Sequence, residues 1–541
     1  MPFSLTRWFD DNILELGREM RLSYLPPLMV YLAAGISSLT GIVGTFFVKE
    51  YLGLSAAFLA ALGFWAGLPW ALKMPVGHLV DLLWRYKSAL VFVGAALIAA
   101  SLLVMLGLVT DLEGMRAIMP AERWYVVGAL LAPIGYMLQD TVADAMTVEA
   151  VPIVDDAGRP VPAEQRRLMN TTVQTLGRVA IIGGGVLVSL VNVVMFHGVE
   201  KLPQAAKAAI YAKVYTLALV IPAISVLGVL LAWALKRRTR RRLAARGLAA
   251  HEIAKLLEPA GEATRPNWSI LGGSLAFVAL SIGLGASRFE YAQEAIFAGS
   301  FAVIAFLMYR LLGELTPESR RTLLGTAIVI FVFRALPGPG AGSTWWMIDA
   351  LGFDQSFLAR LGVIGSTLTL VGLFAFRRLM AERSIAYIVA FLTLAGFVLG
   401  LPILGMYYGL HEWTARLTGG LVDARFIALV DTALESPLGQ ISMVPLLAWI
   451  ANSAPARLKA TYFAVMASFT NLALSAAQLG TKYLNVVFTV TREVRDPVTH
   501  AVTMPADYSE LGLLLVTATA ISLVAPLLAI ALTRRLGLGS A

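Results

Sequence analysis

Thr45-Phe-Phe-Val-Lys-Glu-Tyr-Leu-Gly-Leu-Ser-Ala-Ala-Phe-Leu-Ala-Ala-Leu-Gly63 aligns without a gap on Thr344-Trp-Trp-Met-Ile-Asp-Ala-Leu-Gly-Phe-Asp-Gln-Ser-Phe-Leu-Ala-Arg-Leu-Gly362, 299 positions further on. Eight of the nineteen positions are identical, so chance is a poor explanation. A second correspondence runs in the same order. Asp140 and Asp144, followed by Ala-Met-Thr-Val-Glu149, have a counterpart in Asp431-Thr-Ala-Leu-Glu435, 291 positions later. In both pairs the acids stand four residues apart, which puts them on one face of a helix. Two matches at similar offsets predict a duplicated chain whose halves share one orientation.

The material between these landmarks is lipid-soluble in character. Of 541 residues, 58% are hydrophobic and 14% are charged, and the mean hydropathy is +0.75. Soluble domains are about 45–50% apolar and about 25% charged, so the composition predicts an integral membrane protein. Apolar stretches of about 20 residues, enough to cross about 30 Å of hydrocarbon, occur near 26–49, 54–74, 88–110, 122–148, 170–196 and 208–235. Two follow near 268–286 and 291–311. Six more lie near 321–350, 356–378, 384–408, 421–450, 459–487 and 510–533. The prediction is an all-α polytopic protein with about 14 transmembrane helices, built as six plus two plus six. Its expected parts are a cytoplasmic amphipathic segment (1–25), an N-terminal six-helix bundle (26–235), a basic linker (236–267), an inserted hairpin (268–320) and a C-terminal bundle (321–541). Parallel repeats of this kind follow the plan of the major facilitator superfamily, with the substrate site between the halves near the midplane.

The net charge of +9 reflects Lys and Arg in short loops, Lys236 to Arg246 above all, and so predicts topology rather than nucleic-acid binding. The positive-inside rule puts both termini in the cytoplasm, in an inner or plasma membrane. No cysteine is present, which excludes disulfides and thiolate metal sites. No phosphate-cradling nucleotide loop, nucleophile–base pair or metal-ligand cluster stands out, so neither an ATP-driven pump nor an enzyme is expected, and no metal or cofactor. The implied partners are a small organic solute, protons and membrane lipids.

An Asp near the centre of a span costs about 2.5–3.5 kcal/mol on insertion scales, so such residues usually face a bundle interior or a water-filled cavity. Asp140, Asp144, Asp431 and Glu435 are therefore candidates for transport or coupling. Arg178 lies nine residues into its span, about 13 Å deep at 1.5 Å per residue, and is expected to pair with Asp140. Arg334, similarly deep, is the expected partner of Asp431 and Glu435. For each set, a salt bridge that only neutralises charge stands beside a coupling role. Pro337-Gly-Pro-Gly-Ala-Gly342 is expected to break or end its helix. Phe46, Phe47, Trp345 and Trp346 form pseudo-symmetric pairs that suit either an aromatic belt or the stacking of a flat substrate ring.

Gly77-His-Leu-Val-Asp81-Leu-Leu-Trp-Arg85-Tyr-Lys87 resembles the loop between the second and third helices of major facilitator transporters, which implies a gating contact at Gly77, Asp81, Arg85 and Lys87. A narrower resemblance is to the folate–biopterin transporter family. It rests on Gly44-Thr-Phe-Phe-Val-Lys-Glu-Tyr-Leu-Gly-Leu-Ser55, Pro69-Trp70 with Lys73, Gly77 and Asp81, the Asp140 to Glu149 segment, and Phe333-Arg-Ala-Leu-Pro-Gly-Pro-Gly-Ala-Gly342 before Leu351-Gly-Phe. The resemblance implies alternating-access transport of a folate- or pterin-like solute, with protons. Fourteen spans and Gln139-Asp140 in span four also resemble the bacterial muropeptide permeases. A membrane assembly or scaffold protein on the same fold is the alternative outside transport.

Overall fold

Apolar runs of this length leave the backbone no partner in lipid except itself, and helices are the outcome. The computed structural model describes residues 20–52, 54–71, 73–84, 86–152, 161–257, 268–287, 289–313, 315–376, 379, 383–439, 441, 459–495 and 502–539. Most of the expected N-terminal amphipathic segment, Arg85, and the side chain of Asp81 lie outside what is described.

In chain order the helices are α1 (Leu25–Gly35), a 3-10 turn (Ile36–Thr40), α2 (Gly41–Tyr51), α3 (Ala56–Ala71), α4 (Lys73–Leu82), α5 (Ser88–Thr110), α6 (Leu112–Ile118) and α7 (Ala121–Ala150). Next come α8 (Ala163–Met195), α9 (Gln204–Ala218), α10 (Val220–Ala245), α11 (Ala250–Leu257), α12 (Trp268–Ala286) and α13 (Ala292–Gly313). The remainder are α14 (Pro317–Arg334), α15 (Ala341–Asp349), α16 (Gln355–Ala375), α17 (Ile385–Tyr407), α18 (Leu410–Leu417), α19 (Ala424–Glu435), α20 (Lys459–Val487) and α21 (Leu511–Arg535). Each of the fourteen apolar stretches contains helix among the described residues. Among the described residues nine helical stretches are long and apolar enough to cross a membrane. Others are divided, as α14 and α15 are, or lie partly outside the described residues. A short hairpin, β1 (Val494–Arg495) against β2 (Val502–Met504), sits between α20 and α21.

Helices α1 to α10 pack mainly on one another, with α5 against α7 and α1 against α8 and α10. Helices α14 to α21 form a second set, with α17 and α14 against α21. The sets meet along two seams, α3 with α20 and α8 with α16. The α12–α13 hairpin lies against the first seam. Gln293 donates to the Ala61 carbonyl of α3 at 3.1 Å, while Glu294 accepts from Lys482 and Tyr483 of α20 at 2.9 and 2.6 Å.

The break expected at Pro337 is present. Helix α14 ends at Arg334, α15 begins at Ala341, and Gly340 takes a φ of 74°, a conformation glycine adopts at little cost. Helix α20 satisfies the exposed backbone: Thr481 accepts from the Gly338 N–H at 3.0 Å, and Asn485 donates to the Pro339 carbonyl at 3.2 Å. Irregular backbone at membrane depth requires such partners. At the repeat offset of 299, this break corresponds to the Ile36–Thr40 turn.

The glycines of α8 do what small residues do between membrane helices, letting backbones approach. A Cβ on Gly184 would stand 2.8 Å from the Gly35 carbonyl carbon of α1, whereas one on Gly183 meets nothing within 4 Å. Gly184→Ala is therefore expected to cost about 1–3 kcal/mol, the range of overpacking, and to lower the unfolding midpoint in detergent. Gly183→Ala should leave that midpoint unchanged. Equal midpoints for the two variants would contradict the close approach of α1 and α8.

Candidate functional site

Helix α7 is turned by Gln139. That amide is buried and donates to the Val91 carbonyl of α5 at 3.2 Å and to the Ser225 hydroxyl of α10 at 2.9 Å. One residue on, a rotation of about 100° aims Asp140 away from those helices, and Asp144 follows on the same face. Lys73, the first residue of α4, reaches both carboxylates: Nζ lies 2.5 Å from Asp140 Oδ2 and 2.7 Å from Asp144 Oδ2. Tyr31 of α1 donates to Asp144 Oδ1 at 2.6 Å. The Asp140 side chain is 18% exposed and that of Asp144 is 44% exposed, so the second acid is the more accessible. The expected Asp140–Arg178 pair is corrected. Arg178 is near enough to act on Asp140 and Tyr31 through space, but no ion pair within 4 Å joins it to either acid, and the bonded cation is Lys73.

Lys87 serves the other end of α7. Its ammonium binds Glu149 at 2.6 Å and lies 3.9 Å from the centre of the Trp84 ring. The loop motif is thereby fastened to the acidic segment of α7. Gly77 lies within α4, where an added Cβ would meet nothing within 4 Å.

The C-terminal acids behave differently. Asp431 is buried on α19, and its Oδ1 has no hydrogen-bond partner, while Glu435 is exposed. The expected pairing with Arg334 is also corrected. Arg334 sits at the end of α14 and donates from Nε to the Thr470 carbonyl of α20 at 3.2 Å, while α19 packs on α16 and α17. No ion pair within 4 Å links it to either acid. Ser436, the residue after Glu435, borders a cavity of about 390 Å³ between α8 and α16, with Gly185, Gly362, Gly365, Ser366 and Thr369.

At the opposite end of the bundle from Lys87, the two helical sets are clasped. Lys49 of α2 ion-pairs with Asp349 of α15, which also accepts from the Tyr508 hydroxyl at 2.5 Å. Arg492 donates to the carbonyls of Lys49 and Leu54 at 2.8 and 2.6 Å, with its guanidinium 4.5 Å from the Trp345 ring centre. Burial lowers the Arg492 guanidinium to about 10, and burial with the Asp349 bond pushes the Tyr508 phenol up. The aromatic pairs belong to this packing. Phe46, Phe47, Trp345 and Trp346 are all under 7% exposed. In this arrangement neighbouring side chains cover the rings.

Among the described residues no group of three or more His, Asp or Glu side chains is placed to hold a metal ion. The geometry is that of a helical membrane protein with charge inside two seamed bundles, and comparison with known proteins agrees. The profile of the BT1 family matches residues 34–536. The chain belongs to the BT1 family. A folate-biopterin transporter of Synechocystis sp. is 27% identical over 154 residues, a stretch covering 28% of this chain and 30% of that relative. Among solved structures, a POT family transporter in complex with 5-aminolevulinic acid gives a TM-score of 0.60 at 11% identity, over 96% of each chain. A peptide transporter POT with alafosfalin gives 0.55 at 17% identity, over 95% of this chain and 94% of that one. A nucleoside transporter gives 0.53 at 11% identity, over 94% of this chain and 99% of that one. At these identities the structures establish the fold, a major facilitator-type helical architecture.

The Lys73 cluster yields a direct test. Removing one partner of a buried ion pair costs about 3–5 kcal/mol, and replacing the whole set by apolar or neutral groups costs far less. Lys73→Met should lower the unfolding midpoint sharply, and the triple variant Lys73→Met, Asp140→Asn, Asp144→Asn should recover most of the loss. A triple variant less stable than the single would show that the three charges are not one unit.

Proposed function

We propose that this chain is a secondary active transporter that moves a small organic solute of the folate or pterin class by alternating access, coupled to protons. The observation that carries the proposal is the lysine held between two carboxylates inside the helical body, with one of the acids part-exposed. A proton taken up by the cluster neutralises one of its two carboxylates and weakens the contact with Lys73. Tyr31 remains as a hydrogen-bond partner. The cluster can therefore exist in two charge states, the minimum a proton-coupled cycle requires. Charged residues within spans mark ion and proton pathways by default.

In this proposal the bundles at 26–235 and 321–541 rock about the α3–α20 and α8–α16 seams, with both termini cytoplasmic. The Lys49–Asp349 clasp closes the outer face, and Lys87–Glu149 belongs to the inner gate. Asp431 and Glu435 meet the solute or a second proton. The folate or pterin class is taken from the family and from its Synechocystis relative. Among the described residues the buried Asp431 Oδ1 has no hydrogen-bond partner, which argues against a scaffold role, in which internal charges are expected to be fully paired.

Purified protein in proteoliposomes should accumulate folate or biopterin under an imposed pH gradient. Asp140→Asn and Asp144→Asn should each cut gradient-driven uptake at least tenfold, while exchange without a gradient is less affected. Retained gradient dependence in both variants would falsify the coupling role. A second test exploits the absence of cysteine. Lys49→Cys with Asp349→Cys, bridged by a bismaleimide, should abolish uptake, whereas each single variant treated alike should remain active. Full uptake by the bridged protein would exclude opening at that face.

A further inference from the structure

We infer that Arg334 is the anchor for a carboxylate on the transported solute. The inference rests on the transport reading above and adds the chemistry of the group recognised. Lys73 and Lys482 have carboxylates of their own, Asp140 with Asp144 for the first and Glu294 for the second. Among the described residues Arg334, like Arg178, has no carboxylate within 4 Å, and of the two Arg334 stands at a helix break. Among the described residues its hydrogen bond runs from Nε to the Thr470 carbonyl, which leaves the two terminal nitrogens for another acceptor, and the side chain is half-buried. Those two nitrogens carry the parallel N–H donors that match a carboxylate in two-pronged fashion.

The surroundings hold the guanidinium in place. Arg334 is the last residue of α14, where the negative end of the helix dipole favours a cation. The chain after it is unwound from Ala335 to Gly340, and α20 fixes that segment through Thr481 and Asn485. Broken helices of this kind line the binding sites of many transporters. The position is also central. Asn471, next to Thr470, donates across the seam to the Trp70 carbonyl at 3.1 Å, and Trp70 precedes Lys73 by three residues. Arg334 and the Lys73 cluster thus flank one seam from opposite bundles. A proton that loosens Lys73 and an anion that occupies Arg334 would be received on either side of the same moving contact.

The test measures binding to the full chain in nanodiscs, using folate and 6-carboxypterin, which carry carboxylates, biopterin, which carries none, and an anhydromuropeptide. Arg334→Gln should weaken folate and 6-carboxypterin by at least ~30-fold, as expected for loss of one partner of a desolvated charge pair, and biopterin by less than twofold. Arg334→Lys, which keeps the charge but not the two-pronged geometry, should fall about tenfold short of wild type for the two carboxylates. Equal losses for biopterin and folate would make Arg334 a structural residue, and unchanged affinities would remove it from the site. Wild-type protein that binds biopterin and rejects both carboxylates overturns the anchor and leaves the pterin reading standing. Wild-type protein that binds only the muropeptide, and loses it in Arg334→Gln, supports the anchor and overturns the pterin reading. Binding of none of the four overturns both.

Discussion

Charge placed inside an apolar body needs a partner where it stands, and the first set of helices is arranged around that requirement. Lys73 enters from α4, Asp140 and Asp144 from α7, and Tyr31 from α1. Each arrival depends on backbone packing elsewhere. The Gln139 amide fixes the rotation of α7 by bonding α5 and α10. The contact of Gly35 with Gly184 sets the distance between α1, which carries Tyr31, and α8, which carries Arg178. Side-chain chemistry in the centre is thus held by small residues and amides one shell further out.

The two sets share a repeated pattern and differ in chemistry. The repeat survives in the backbone, since the Ile36–Thr40 turn and the Ala335–Gly340 break occupy corresponding places. The charges no longer match. In the first set the acids share a lysine, while in the second Asp431 Oδ1 has no hydrogen-bond partner among the described residues and Arg334 rests on a carbonyl. One set gathers two acids on one lysine, and the other holds Asp431 and Arg334 apart.

The helices were legible because long apolar runs admit little else, and the parallel plan was legible because the repeat kept eight identities in nineteen. The internal acids were legible too, since an Asp in such a run is anomalous. Their partners were not. Lys73 stands at a span end, where topology alone accounts for a lysine, and the Tyr31 hydroxyl is hidden in an apolar segment. Which helix faces which depends on rotation, and nearly uniform apolar helices offer almost no periodic cue to it. Depth alone suggested Arg178 for Asp140 and Arg334 for Asp431, and depth is a poor guide to contact between helices. The aromatic pairs lie near helix ends as a belt would, yet the segment after α20 folds over them and brings Arg492 onto Trp345.

The way Arg492 grips its neighbours has a consequence for how this chain can change over generations. Its acceptors are the main-chain carbonyls of Lys49 and Leu54, which every residue type supplies. Substitution at positions 49 or 54 alters the side chain and leaves those two acceptors in place. The contact is vulnerable on one side only, and sequence drift can erase it most directly at position 492. A clasp of that form tolerates a variable rim around the mouth of the protein while the closure itself persists.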